Sequence, residues 1–117
     1  DAPCTGTGVL SKRADLRWRR TPEDLQQSVQ TQKNLLNAAA RMVKKGGRLV
    51  YSTCSLESEE NIGQIKNFLK EHPEFKIQSL EGLLPDDVLN KEKTYYQTYP
   101  HRHHCDGHFG VLMVRKE

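Results

Sequence analysis

The sequence lacks a long hydrophobic run. No window reaches the roughly eighteen uncharged apolar residues that a membrane-spanning helix needs, and no charged-then-apolar leader precedes a cleavage site. We therefore expect a soluble, cytoplasmic protein without a membrane partner. Apolar residues are scarce altogether, at 35% of the chain, which predicts a thin core.

Cysteine is also scarce. Cys4, Cys54 and Cys105 are odd in number and show no CxxC spacing, which argues against a secreted disulfide framework and favours free thiols. A G-x-G-x-x-G turn after a strand is missing as well, so these residues carry no dinucleotide-binding fingerprint.

Neither sign of charge dominates the chain. The chain has 18 Lys and Arg residues and 15 Asp and Glu residues, and the net charge of +3 does not by itself indicate a nucleic-acid partner. The chain opens on a turn-rich octet, Asp1-Ala-Pro-Cys-Thr-Gly-Thr-Gly8, with no element before it. We therefore expect a fragment of a larger domain, and an absent N-terminal partner would explain the thin core.

Hydrophobic periodicity predicts alternating helices and strands. A helix begins after Thr21, an N-cap followed by Pro22 and by Asp24 at near capping-box spacing, and it runs to Gly46-Gly47. The later segments are a strand over 48–54, a helix over 58–71, a weaker strand over 75–80 and two strands over 94–99 and 109–115. This order predicts an α/β domain, the C-terminal half of a doubly wound sheet that ends in an antiparallel strand pair.

Two of the cysteines fall where such a sheet binds its ligands. Ligands bind outside the carboxyl ends of the strands, and Cys54 ends its strand while Cys4 lies in the opening loop. We expect the two thiols to face one crevice. Residue chemistry alone leaves two alternatives open for each: a buried, inert thiol, or a reactive one activated by nearby cations or a helix N-terminus.

Six motifs, in their order and spacing, resemble one protein family. They are Asp1-Ala-Pro-Cys-Thr-Gly-Thr-Gly8, Asp15-Leu-Arg-Trp18, Gln32-x-x-Leu35-Leu36, Lys45-Gly-Gly-Arg-Leu-Val-Tyr-Ser-Thr-Cys-Ser55, Glu59-Glu-Asn61 and Asp106-Gly-His-Phe109. This set resembles the RsmB/Sun family of S-adenosylmethionine-dependent RNA cytosine-5 methyltransferases over essentially the whole chain. The resemblance implies a Rossmann-like methyltransferase sheet, with residues 1–117 as a partial catalytic domain whose cofactor-binding half is missing.

The resemblance also implies roles for three residues. Cys54 matches the family's nucleophile, which adds to carbon 6 of cytosine, and Cys4 matches the residue that assists release of the product. Asp1 matches a carboxylate beside the cofactor S-adenosylmethionine, most of whose site would lie outside this chain. A frayed terminus is the alternative for Asp1. The isolated chain is expected to be inactive.

A basic segment follows the opening loop. Its cations and its tryptophan are Lys12, Arg13, Arg17, Trp18, Arg19 and Arg20. This composition suits phosphates plus a stacked base, so we predict contact with RNA. The family resemblance favours ribosomal over transfer RNA. The alternative is a solvated loop in which Trp18 enters the core and Arg17 pairs with an acidic residue.

Two further clusters are given structural interpretations. Four of the five histidines lie between His101 and His108, but common zinc spacings are absent and we expect no metal there. His108 stands where the resemblance implies an aromatic residue, which puts the local packing in question. The segment Glu59-Glu-Asn61 is expected to be a solvated first helical turn, favoured by the helix dipole.

The sequence therefore predicts an enzyme that acts on a base flipped out of structured RNA. The alternative from another class is a noncatalytic, basic RNA-binding or assembly module that keeps the methyltransferase scaffold, and a zinc-binding module is the third. A half sheet presents an unpaired edge. The isolated chain is thus expected to self-associate or to depend on the missing N-terminal half of the parent protein.

Overall fold

Helices and strands alternate along the chain, and the computed structural model describes all 117 residues. The helices are α1 (Leu16–Arg19), α2 (Pro22–Met42), α3 (Ile62–Glu71) and α4 (Pro100–His103). The strands are β1 (Arg48–Thr53), β2 (Phe75–Ile77), β3 (Tyr95–Thr98) and β4 (His108–Arg115). None of the helices combines the length and the apolar composition that crossing a membrane requires.

The long helix α2 begins at a complete capping box. Thr21 Oγ1 accepts the backbone N–H of Asp24 at 3.2 Å, and the Asp24 carboxylate accepts the backbone N–H of Thr21 at 2.9 Å. Pro22 occupies the first helical turn, where its missing N–H costs nothing. The predicted start of the helix is therefore confirmed.

The same helix ends earlier than the glycine pair at 46–47 predicts. Its last residue is Met42, and Val43 already has an extended backbone with ψ of 121°. The Val43 carbonyl accepts a hydrogen bond from the guanidinium of Arg115 at 2.5 Å, so the far end of β4 supplies the partner that a further helical turn would have supplied. Gly46, at φ of 76°, then turns the chain into β1.

The sheet is built around β4. β1 pairs along one side of it, with Thr53 opposite Phe109, while β2 and β3 share the other side end to end. β2 pairs with residues 113–115 and β3 with residues 108–111. Every pairing is antiparallel, so β1, β2 and β3 run in one direction and β4 runs against them. The predicted antiparallel pair at the end of the chain is confirmed as β3 with β4.

The core lies between α2, α3 and one face of the sheet. Its buried residues are Leu36, Ala40, Tyr51, Ile65, Phe68, Phe75, Phe109, Val111 and Met113. On the opposite face of β1, Val50 remains 64% exposed. The helices of this chain therefore cover one face of the sheet, which agrees with the thin core expected from the composition.

Candidate active site

Two free thiols meet where β1 ends. Cys54 directly follows the last residue of β1, and Cys4 lies in the opening loop. Their Sγ atoms are 3.3 Å apart, and both residues are half-buried. The structure therefore brings the two thiols side by side, although they are separated by 50 positions in the sequence.

Backbone hydrogen bonds attach the opening loop to the ends of β1 and β4. The N–H of Ala2 donates to the Ser52 carbonyl at 2.8 Å, and the N–H of Gly8 donates to the Cys54 carbonyl at 2.9 Å. Gly107 in turn donates to the Gly8 carbonyl at 2.8 Å. A Cβ on Gly8 would collide with the carbonyl oxygens of Cys54 and Gly107, so only glycine permits this close approach.

A buried carboxylate lies beneath the two thiols. Glu60 is 0% exposed and accepts hydrogen bonds from the Thr5 N–H, the Thr5 hydroxyl, the Gln32 amide and the Ser55 hydroxyl. Asn61, 3% exposed, accepts from the Thr53 hydroxyl at 2.5 Å and donates to the Ser55 carbonyl at 2.8 Å. These contacts form a polar network inside the protein.

This network corrects the interpretation of Glu59-Glu-Asn61 as a solvated turn. Only Glu59 is exposed, because Glu60 and Asn61 turn inward to meet donors from the two cysteine loops. Gln32 was not singled out as a site residue either, although a signal was present. It occupies the middle of the seven-residue gap between Val29 and Leu36 on the apolar stripe of α2, where a polar side chain needs a buried partner.

The environments of the two thiols differ. Burial, followed by the hydrogen bond to Cys54, raises the pKa of the Cys4 thiol to about 12. Cys4 is therefore protonated at neutral pH, and its S–H can donate to the sulfur of Cys54. This arrangement gives one thiol that can carry a proton next to a second that can accept a hydrogen bond.

Asp1 lies away from the polar network, at the open edge of β1. It lines a cavity of about 140 Å³ whose other walls are apolar residues of α2 and β1, and which contains neither cysteine. Ligand sites usually enclose about 300–1,000 Å³. Asp1 is the only charged side chain that lines this cavity.

The basic segment is exposed, and its tryptophan points outward. Trp18 is 84% exposed, and the Arg17 guanidinium lies 5.6 Å from the centre of its ring. The alternative in which Trp18 enters the core is therefore wrong. Arg17 makes no ion pair with an acidic residue, so this pair of side chains presents a cation and an aromatic face to solvent.

The remaining cations of the segment are bound within the chain. Arg13 and Arg19 both pair with Asp15, and the hydrogen bond from Arg13 is the main cause that lowers the pKa of that carboxyl. Lys12 pairs with Asp106 at 2.8 Å. Arg20 differs from the others because its Nε donates to the Thr5 carbonyl at 2.7 Å and so supports the loop that carries Cys4.

The histidine-rich loop provides packing contacts. His103 Nδ1 accepts the Tyr99 N–H at 3.0 Å, and its Nε2 donates to the Asp87 carbonyl at 2.9 Å. His108 stacks on Tyr96 at 5.6 Å between ring centres, so its ring fills the place expected for an aromatic residue, and burial lowers its pKa. No group of three or more His, Cys, Asp or Glu side chains is arranged to hold a metal ion.

The fold of this chain, an α/β sheet with an antiparallel central strand, is similar to that of solved Sun-family methyltransferases. A profile of the 16S rRNA methyltransferase RsmB/F family matches residues 1–113. The chain belongs to this family.

Individual relatives agree with this assignment. The probable ribosomal RNA small subunit methyltransferase B of Synechocystis is 43% identical over 93% of the chain, and that of Bacillus subtilis is 39% identical over 99%. A structure of NSun6 from Pyrococcus horikoshii was solved with SFG, an analogue of S-adenosylmethionine. It superposes on the whole of this chain with a TM-score of 0.83 at 30% identity, and the match covers 29% of the NSun6 chain. The chain spans 25% and 26% of the length of the two bacterial relatives.

Proposed function

We propose that this chain carries the two catalytic thiols of an RNA cytosine-5 methyltransferase. The observation that carries the proposal is the 3.3 Å separation of the Cys4 and Cys54 sulfur atoms at the end of β1. Two relatives are named as ribosomal RNA small subunit methyltransferases, which supports ribosomal RNA as the substrate class. S-adenosylmethionine supplies the methyl group when it is bound.

The chemistry explains why two thiols are needed. Carbon 5 of cytosine is a poor nucleophile, so a thiolate first adds to carbon 6, and the electron pair of the ring double bond moves onto carbon 5. Once carbon 5 carries the methyl group, it must lose its proton. The released pair re-forms the double bond, and the bond between carbon 6 and sulfur breaks with its electrons returning to the thiolate.

We assign the nucleophile to Cys54 and the proton acceptor to Cys4. A resting Cys4 that keeps its proton can donate a hydrogen bond to the sulfur atom of Cys54. Cys4 first releases its own proton to solvent, and the thiolate that forms is a strong base because burial raises its pKa to about 12. Its position beside Cys54 lets it reach the carbon next to the one that Cys54 attacks.

We assign the outer parts of the site to the exposed residues. Arg17 and Trp18 offer a phosphate contact and a stacking face for RNA, together with the charges of Lys12, Arg13, Arg19 and Arg20. Asp1 would touch the cofactor from the edge of β1, and the rest of the cofactor site would come from the parent protein outside these residues. Free thiols at the site suit a reducing compartment such as the cytoplasm.

Paired cysteine variants of the full-length protein test this assignment. Cys54→Ala should abolish methylation and form no covalent RNA complex, whereas Cys4→Ala should accumulate the covalent complex because elimination stalls. Cys105→Ala is the matched control, since this thiol is exposed and lies outside the pair. Methylation is measured by transfer of labelled methyl groups, and the adduct by denaturing electrophoresis.

The reverse pattern, with the adduct trapped by Cys54→Ala, would exchange the two roles. RNA binding without methylation, and without an adduct in any variant, would replace the proposal by a noncatalytic RNA-binding module.

A further inference from the structure

One buried carboxylate binds the residue that follows each cysteine. Glu60 Oε1 accepts the Thr5 N–H at 2.9 Å, and Oε2 accepts the hydroxyls of Thr5, at 2.7 Å, and of Ser55. Thr5 follows Cys4 and Ser55 follows Cys54, so the two loops meet on a single side chain. Tyr51 fixes the backbone of Glu60 by donating to its carbonyl at 2.7 Å.

The residues that precede the cysteines are bound in the same way. Gln32 Nε2 donates to the Pro3 carbonyl at 2.9 Å and to Glu60 Oε1 at 3.1 Å. Asn61 accepts from the hydroxyl of Thr53, which precedes Cys54. Both neighbours of each cysteine are therefore fixed by buried side chains, while the thiols themselves remain half-buried.

We propose that Glu60 is a positioning residue that holds the two cysteine loops in one arrangement, so that the two sulfur atoms lie within reach of adjacent carbons of one base. The reaction it serves rests on the proposed function. Glu60 is 0% exposed and so cannot touch RNA. It acts through Thr5, Ser55 and Gln32, which bind its carboxylate.

The cost of burying a carboxylate favours this role over a purely stabilising one. Removing a charged group from water is expensive, and apolar side chains often stabilise a core at least as well. An apolar residue at position 60 would, however, leave the Thr5 N–H and the Gln32 amide without this acceptor. The two loops would then lose the one side chain that binds Thr5 and Ser55 together, and would keep only contacts such as the bond from the Gly8 N–H to the Cys54 carbonyl.

Glu60→Gln is the informative variant, because it keeps the shape and removes one acceptor. Its amide group can face the hydroxyls of Thr5 and Ser55, which can reverse their donor direction, so folding is expected to survive. Ile65→Val is the matched control: Ile65 is equally buried, and its substitution removes a methylene without touching the cysteine loops. Both variants are made in the full-length protein.

The first readout is independent of RNA. Diamide, a diazene, takes two electrons and two protons from a pair of thiols, leaving a disulfide and a hydrazine, and the yield of the Cys4–Cys54 disulfide is followed by peptide mass spectrometry. We expect Glu60→Gln to slow this closure roughly tenfold, the factor that corresponds to one hydrogen bond to a charged group. Ile65→Val should close at the wild-type rate.

The second readout is steady-state methyl transfer. We expect kcat of Glu60→Gln to fall by a similar factor with KM for RNA unchanged, because Glu60 does not reach the surface. A folded Glu60→Gln protein whose thiols close within twofold of the wild-type rate would overturn the proposal. Should Glu60→Gln not fold, Ser55→Ala, which removes one donor to Glu60, decides the question by the same closure rate: slower closure supports the proposal, and an unchanged rate overturns it.

Failure of the proposed function gives a different result. The wild-type thiols would close quickly and no methyl group would reach cytosine. The comparison of closure rates between Glu60→Gln and Ile65→Val would still decide whether Glu60 positions the thiols.

Discussion

At the scale of single residues, the site depends on a thiol that holds its proton beside a second cysteine. Cys4 lies 3.3 Å from Cys54, and burial raises the pKa of Cys4 to about 12. A group with that pKa holds its proton at neutral pH, and its thiolate is correspondingly basic. The two properties suit a residue that first donates a hydrogen bond and later removes a proton from carbon 5.

The raised pKa of Cys4 predicts the pH dependence of product release. The thiolate fraction of Cys4 grows about tenfold per pH unit as long as the pH stays below its pKa of about 12. Decay of the covalent complex in a single turnover should therefore accelerate from neutral to mildly alkaline pH. The decay is followed by quenching samples in denaturant and quantifying the linked RNA. A rate that does not change over this range would mean that another group removes the proton.

Some site residues can be predicted from the sequence and others cannot. Motif order indicates the two cysteines, and the composition of the basic segment indicates Arg17 and Trp18. Glu60 could not be recognised in this way, since an acidic residue at the start of a helix is equally well explained by the helix dipole. Its burial depends on Thr5, 55 positions away, which local sequence rules do not describe.

At the scale of elements, the sequence predicts what local chemistry determines. The capping box fixes the start of α2, and short runs rich in strand-forming residues mark β1 and β4. The end of α2 depends instead on Arg115, whose guanidinium binds the Val43 carbonyl from the other end of the chain. β2 and β3 lie end to end beside β4 because both strands are short. Local sequence patterns do not reveal this arrangement, because it depends on tertiary contacts.

The basic segment divides into a surface for RNA and a support for the site, and this division is testable. Arg17→Ala should lower the salt dependence of RNA binding, since each phosphate contact on single strands releases about 0.7 counterion. It should leave stability unchanged, because the Arg17 guanidinium lies over the exposed Trp18 ring and makes no ion pair. Arg20→Ala should instead destabilise the protein by about 1 kcal/mol, because it removes the hydrogen bond to the Thr5 carbonyl.

Salt titrations of RNA binding and denaturant unfolding distinguish the two effects. Arg17→Lys is the control that keeps the charge. An unchanged salt slope in Arg17→Ala, accompanied by lower stability, would make Arg17 structural.

At the scale of the whole molecule, the sheet is open on one side. β1 pairs only with β4, and Val50 on its uncovered face is 64% exposed. An edge strand with free N–H and C=O groups can recruit another chain. Self-association of the isolated 117 residues stays a prediction, as does their inability to bind S-adenosylmethionine. Asp1, the residue expected beside the cofactor, lines an apolar cavity of about 140 Å³.

The central claim is that Cys54 attacks carbon 6 and that Cys4 removes the proton from carbon 5 in a later step. RNA that carries 5-fluorocytosine tests it directly, because fluorine cannot leave carbon 5 as a proton does and the enzyme remains linked to its substrate. Peptide mass spectrometry of the full-length protein after one turnover should then find the RNA on Cys54, with Cys4 unmodified. RNA linked to Cys4, or a methylated product with no linkage to either cysteine, would contradict the account.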